Sequence, residues 1–306
     1  MLGTWMVKPQ PYHSRLTRIG RARKERMIFL SRRFSCAALI LSFALAGLAS
    51  AQNVNPQEVN PEQIVKDAAY NELHARDNHP FRYTLRKDDN GKITTKEIIE
   101  TKQGDVARLI AINDQPLSPT ADAVEIQRLQ NLLAHPELQA HRLKREQADS
   151  NRANEMLRLL PTAFIYRYKG MVEGPNGPCY RFSMQPDPNF NPPDRQAQVL
   201  HGMAGELWIG QREKRMVRLN VHLIADVEFG WGIFGRLYKG GTILVEQKDV
   251  GDNHWEQTLL RLNLRGTILI FKSLVIDTTE TESNFEPVPP DWTYQDAVRA
   301  LLNEKS

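Results

Sequence analysis

Cysteine is almost absent from this chain. It has two, Cys36 and Cys179, and the first lies in a segment expected to be removed. Cys179 then has no partner, so no internal disulfide can form and stability must come from packing. A lone cysteine of this kind reads as a small buried hydrophobe before it reads as a reactive thiol. Long hydrophobic runs are missing too. The longest, residues 37–48, holds about a dozen residues, short of the ~20 needed to cross a bilayer.

Catalytic signatures are equally scarce. There is no Gly-x-Ser-x-Gly elbow, no His-Glu-x-x-His and no phosphate-cradling Gly-rich loop. Seven histidines follow residue 51, at 74, 79, 135, 141, 201, 222 and 254, and none has a metal-site spacing. Asp88-Asp89-Asn90-Gly91 does not fit a calcium loop and reads as a hairpin turn. Glu206, Asp226 and Glu228 could pair for acid–base work, but solvated carboxylates on a polar strand face are the simpler reading. No cofactor or metal is implied, and an enzyme is not expected; a hydrolase is the remaining enzymatic option.

Excess positive charge is lacking where it would matter. The whole chain carries a formal +4, but residues 1–51 hold nine Lys/Arg and one Glu, a net +8, leaving −4 for the rest. A mildly acidic remainder has no electrostatic footprint for nucleic acid and no polybasic cluster for anionic membranes.

What is present begins with a secretory signal. Arg32-Arg33 precedes the apolar run 37–48, and Ala49-Ser50-Ala51 supplies a small-x-small site. Cleavage is expected after Ala51, giving a protein that starts at Gln52 and is soluble in the periplasm. Residues 1–51 are an upstream extension plus signal, and residues 52–306 form one domain of about 255 residues. Translation from Met27 gives an ordinary short n-region; translation from Met1 gives a long basic one.

The remaining pattern is one of strands interrupted by helices. Asn60-Pro61-Glu62 reads as an N-cap, a Pro at the first helical position and an acidic first turn, opening a helix over 61–75. Phe81, Tyr83 and Leu85 alternate with polar residues, and two further strands follow to Ile112. Residues 121–160 turn helical, with Pro136 as a break, a charged solvated stretch over 141–154, and Pro161 closing the segment. About seven strands follow. The clearest has Val217, Leu219, Val221, Leu223, Ala225 and Val227 on one face and Arg218, Asn220, His222, Asp226 and Glu228 on the other. Gly251-Asp252-Asn253 and Arg265-Gly266 mark turns. The fold class is mainly β (α+β), a curved antiparallel sheet with its apolar face covered by the helical segments.

One connection differs from the charged turns elsewhere. Residues 229–241 mix large apolar side chains with five glycines. One reading is that the glycines permit a bend that returns the aromatics to the core. Alternatively, Trp231, Ile233 and Phe234 form an exposed tip for transient membrane or partner contact.

Gly205-Glu206-Leu207-Trp208-Ile209, a charged turn, and then Arg218 in a long alternating strand resemble the Gly-x-x-Trp-Ile segment of the periplasmic LolA/LolB-like outer-membrane lipoprotein-sorting superfamily. The signal, the leading helix and the late run of strands are similar as well. The resemblance implies an incomplete antiparallel barrel lidded by helices, with an apolar cavity for acyl chains. Its expected function is a carrier for an acyl chain, a lipid or a lipidated protein. The cavity candidates are Phe81, Tyr83, Leu85, Phe164, Tyr166, Val217, Leu219, Val221 and Leu223. The alternative is an envelope protein-interaction or stress-sensing module of the same fold, its cavity filled by its own side chains.

Overall fold

The computed structural model describes residues 59–75, 79–229, 235–251, 253–269 and 272–303. The signal segment and the expected tip residues Trp231, Ile233 and Phe234 lie outside the described residues.

Helix α1 (Pro61–Leu73) starts where its cap dictates: the Asn60 side chain accepts from the Gln63 amide, and Pro61 fills the first turn. Three strands follow: β1 (Phe81–Asp89), β2 (Lys92–Ile99) and β3 (Val106–Ile112), with the short β4 (Gln115–Pro116) behind them. The β1–β2 turn has Asn90 at φ 54° and Gly91 at φ 84°, the left-handed pair that a tight hairpin requires. Helices α2 (Pro119–Ala134) and α3 (Pro136–Ala163) come next. Pro136 separates them by opening α3 rather than kinking a single helix. Pro161 lies inside the last turn of α3 rather than closing it, and the helix ends when Phe164 becomes extended.

The second run of strands is β5 (Phe164–Gly174), β6 (Gly177–Pro186), β7 (Met203–Gly210), β8 (Met216–Leu223), β9 (Val227–Phe229), β10 (Gly235–Leu237), β11 (Thr242–Asp249), β12 (Trp255–Ile268) and β13 (Lys272–Pro287). A 3-10 turn, Ala197–Gly202, precedes β7, and helix α4 (Tyr294–Asn303) follows β13. The sheet order is β4-β3-β2-β1-β13-β12-β11-β8-β7-β6-β5, with β9 and β10 off this path. Its strand pairs are antiparallel, and the two ends, β4 and β5, do not meet. This is an incomplete barrel.

The structure corrects two strand expectations. The strand expected from Val217 to Val227 stops at Leu223, where Leu223 makes its last pairing with Gly240 and Gly241. With no ladder partner beyond that point, the chain bends through Ile224–Asp226, and Ala225 is exposed rather than inward. Arg265-Gly266 is not a turn. Strand β12 runs through it, because β10 takes over from β11 as its neighbour there. Gly266 is required by that approach: a Cβ would lie 2.1 Å from the Arg236 carbonyl oxygen.

Paired residues on adjacent strands point to the same face. Register therefore assigns an inner face that carries Tyr83, Leu85, Ile98, Leu260, Leu262, Ile243, Val245, Leu219, Val221, Leu207, Phe182, Met184 and Tyr166. Gly205 lies within it. A Cβ there would fall 2.1 Å from the Asn220 carbonyl oxygen, so only glycine lets β7 and β8 close up. The outer face of β11–β13 is polar, with Arg261, Asn263, Asp277 and Thr281 exposed. At β2–β3 the outer face instead carries a second core. Ile99 and Val106 pack there with Leu129 and Leu132 of α2 and Val298 and Leu301 of α4.

Candidate functional site

The inner face is covered from above by α1 and α3. Helix α1 is anchored by one carboxylate. Glu72 is 6 % exposed and takes a bidentate pair from Arg215 at 3.0 and 2.9 Å. It also accepts from the Met216 amide and the Gln247 side chain, both at 2.7 Å. These partners come from β8, the turn before it, and β11, so a single side chain ties the helix across the sheet. Next to it, Cys179, Val217 and Trp255 form a small buried cluster. Burial pushes the Cys179 thiol up to about 11, with Glu173 and Glu213 adding to the effect. That environment suits a packed hydrophobe, not a nucleophile.

Helix α3 spans the gap between the two ends of the sheet. Its 28 residues extend about 42 Å at 1.5 Å each. At its start, Gln139 is buried and donates to the carbonyls of Gln103 and Asp105 in the β2–β3 connection. At its far end it runs directly into β5, where the buried Tyr166 hydroxyl donates to the Leu160 carbonyl at 2.8 Å. Burial holds that phenol above the ordinary tyrosine range. The free edge of β3 is also closed, by α2. Glu125 accepts from the Leu109 amide, and Arg128 donates to the Ala107 carbonyl. Side chains thus satisfy backbone groups that would otherwise template a further strand.

Eight of the nine cavity candidates fall on the inner face, and they do not share one environment; Val217 sits at the β7–β8 register shift and packs instead with Cys179, Trp208 and Trp255. Phe81, Tyr83, Phe164, Tyr166, Val217, Val221 and Leu223 are buried among other side chains. Leu85 and Leu219 are only partly covered. On the same face, Ile243, Val245, Leu262 and Ile276 are also partly covered. From Leu219 of β8 through β11 and β12 to Ile276 of β13, the inner face is therefore an apolar strip with incomplete cover; Thr278, Glu280 and Glu282 of β13 share that face and separate it from Leu85. Sequence alternation placed Leu219 on this face; it did not identify Ile243, Val245, Leu262 and Ile276 as its neighbours, which follows only from register.

Two other features lie elsewhere. A cleft of about 620 Å³ is lined by Arg195, Gln198, His201, Asp226, Glu228 and neighbouring residues, beside the 3-10 turn and β9. It contains none of the nine candidates. Glu100, His254 and Glu256 are all buried, with potential ligand atoms within 4.8 Å of one another. One imidazole and two carboxylates are a donor set that could hold a divalent metal. In the structure they bond within the protein: His254 Nε2 lies 2.6 Å from Glu256 Oε1, and Glu100 Oε2 accepts from the Phe81 amide at 3.0 Å. Sequence spacing gave no sign of this cluster, because Glu100 lies far earlier in the chain than His254 and Glu256. Asp226 and Glu228, candidates for acid–base work, pair with Arg236 at the surface. No described helix is long and apolar enough to cross a membrane.

No protein-family model and no curated protein sequence matches the chain. Among solved structures it is similar to a domain described as an outer membrane lipoprotein-sorting protein from Vibrio parahaemolyticus, at 9% identity and TM-score 0.32, over 80% of this chain and 100% of that one. It is similar to the LolA superfamily protein NE2245 from Nitrosomonas europaea, at 8% identity and TM-score 0.27, over 74% of this chain and 93% of that one. It is also similar to MucB, solved in complex with MucA(peri), at 10% identity and TM-score 0.23, over 74% of this chain and 99% of that one. The first two descriptions name the grouping that the Gly205–Ile209 segment resembles. Identity and TM-score are low in each case, and the fold is established by the chain's own sheet and helices.

Proposed function

We propose that the protein is a periplasmic carrier that shelters an acyl chain, of a lipid or a lipidated protein, between the inner face of its sheet and helices α1 and α3. The observation that carries this reading is the incompletely covered apolar strip formed by Leu219, Ile243, Val245, Leu262 and Ile276. A packed core leaves no such strip, since protein interiors close to the density of organic crystals. Each methylene buried there contributes about 0.8 kcal/mol, so even half an acyl chain gives useful affinity without a reactive group. The Glu72 anchor on α1 and the Gln139 anchor on α3 hold the cover in place at both ends of the sheet. The test is extraction of the purified protein with organic solvent followed by mass spectrometry, together with displacement of an uncharged apolar dye by long-chain lipids. Co-purifying lipid and saturable displacement support the carrier; a protein that carries no lipid and takes up no dye does not have this function.

A second reading has an observation of its own. Seven of the nine cavity candidates are already buried by the protein's own side chains, as expected of a protein-interaction module that holds no cargo. Its free edge is β5, where Ile165, Tyr168 and Met171 are exposed. Under this reading the dye is not taken up, and β5 is the surface that a partner covers.

A further inference from the structure

Strands β2 and β12 are three places apart in the sheet, separated by β1 and β13. Across a flat sheet that is about 14 Å, at ~4.8 Å per strand. Yet Glu100, just past the end of β2, meets His254 and Glu256 at the start of β12, with potential ligand atoms within 4.8 Å of one another. The curvature of the open barrel brings them together where the backbone ladder has ended. The β12–β13 ladder begins at Leu259 and Thr281, past these residues. Here side chains, not a ladder to β13, connect the start of β12 to the β1–β2 pair.

The three residues are 8 %, 7 % and 2 % exposed, so each is more than nine-tenths buried. Their placement is fixed by the backbone. The Phe81 amide donates to Glu100 Oε2 at 3.0 Å, and the Glu100 amide donates to the Phe81 carbonyl at 2.9 Å. The Phe81 ring lies 4.3 Å from the His254 imidazole, centroid to centroid. The His254 amide donates to the Gly251 carbonyl at 2.9 Å, and the His254 carbonyl accepts from the Val250 amide at 2.8 Å. Glu256 is two residues further along the strand and points to the same side. Its Oε1 lies 2.6 Å from His254 Nε2. Donors carried on strand ends in this way are pre-organised.

We propose that Glu100, His254 and Glu256 hold one divalent transition-metal ion of the zinc class, which ties the start of β12 to the end of β2. The inference does not depend on the carrier reading. One imidazole with two carboxylates is a borderline donor set that suits zinc, whereas calcium and magnesium favour sites made of oxygen alone. With a neutral imidazole the three donors bring two negative charges, and one divalent ion brings the site to zero. That is the condition under which buried charge is tolerated. Zinc bonds of about 2.0–2.2 Å set tetrahedral ligand atoms about 3.4 Å apart. The 2.6 Å between His254 and Glu256 and the 4.8 Å limit for the group bracket that spacing. The ion replaces the proton between Nε2 and Oε1, and a water completes the fourth position.

The test strips the purified protein with EDTA and titrates it with Zn²⁺ against a chromophoric chelator. One equivalent binds with a Kd of about 10 µM or tighter. At free zinc about a hundred times the Kd, the melting temperature rises by about 5 °C, and Mg²⁺ or Ca²⁺ at the same concentration moves it by less than about 1 °C. X-ray absorption of the zinc-loaded protein shows nitrogen and oxygen ligands at about 2.0–2.2 Å and no sulfur. Glu100→Gln and His254→Gln each weaken binding by about a hundredfold or more and remove the thermal shift. His74→Gln and His135→Gln, at exposed positions, leave both unchanged. The absorption measurement needs no variant, so it decides the site even if a replacement in the buried cluster prevents folding. A Kd weaker than about 10 µM overturns the site and leaves the cluster as a hydrogen-bonded group. A sulfur ligand assigns the ion to Cys179, and loss of binding in the His74 or His135 variant assigns it to the surface; either result overturns the proposal. None of these outcomes bears on the carrier, which dye and lipid binding test separately.

Discussion

Val221 and Leu219 are two residues apart on β8 and point to the same face, yet their truncation should have different consequences. Val221 is 1 % exposed and lies between Gly205 of β7 and Ile243 of β11. Val221→Ala removes two carbons, about 1.6 kcal/mol of transfer free energy, and a residual cavity brings the cost to about 2–3 kcal/mol. Leu219→Ala removes three carbons, about 2.4 kcal/mol at full burial, but its side chain is only partly covered and leaves no sealed cavity. About 1 kcal/mol is expected. For a chain of this size these losses lower the melting temperature by about 5–10 °C and about 2–4 °C. Aspartate widens the gap. At Val221 a carboxylate enters a closed apolar layer and costs several kcal/mol; at Leu219 it reaches water along the strip. Binding should show the reverse order: Leu219→Asp abolishes acyl-chain uptake in a protein that still folds. Urea denaturation followed by tryptophan fluorescence measures the stabilities, and dye displacement measures uptake. If Leu219→Asp destabilises as strongly as Val221→Asp, the strip is sealed core and the reasoning fails.

Glu72→Ala leaves Arg215 and the Met216 amide without their buried acceptor, and should cost about 3–5 kcal/mol; a loss under 1 kcal/mol in urea denaturation would mean that α1 is held by its apolar face alone. Cys179, with its thiol raised to about 11, should resist iodoacetamide at pH 7.5 in the folded protein and react on addition of denaturant; rapid native labelling would contradict its burial. N-terminal analysis of secreted material should find Gln52 first, and retention of residues 37–48 would count against a soluble periplasmic protein. Replacing Trp231, Ile233 and Phe234 by Ser should abolish liposome association with little change in melting temperature if they form a tip; a loss of several kcal/mol would place them in the core.

Local chemistry made much of the fold readable. Asn60-Pro61 set the start of α1, Asn90-Gly91 set the first hairpin, and period-2 alternation identified β1, β5 and β8. The errors came where a neighbour overruled a local signal. Gly266 resembles a turn residue, but its glycine serves the close approach of Arg236 on β10. Val217–Val227 alternates except at Ile224, and the strand stops at Leu223, where its partner does. Helix α4 was not anticipated. Its value lies in Val298 and Leu301 packing on Ile99 and Val106, nearly two hundred residues earlier in the chain.

The sequence alone determined most of the elements and the inward parity of the regular strands, because turn conformation and side-chain alternation depend on residues a few positions apart. It also located the apolar face that includes eight of the nine cavity candidates; Val217 is displaced by the β7–β8 register shift. The tertiary structure decided which of those candidates are sealed and which line the strip. It also brought Glu100, just past the end of β2, against His254 and Glu256 at the start of β12. Burial and charge proximity depend on strand order, register and the path of α3 across the open barrel, and these are set by contacts between residues far apart in the chain.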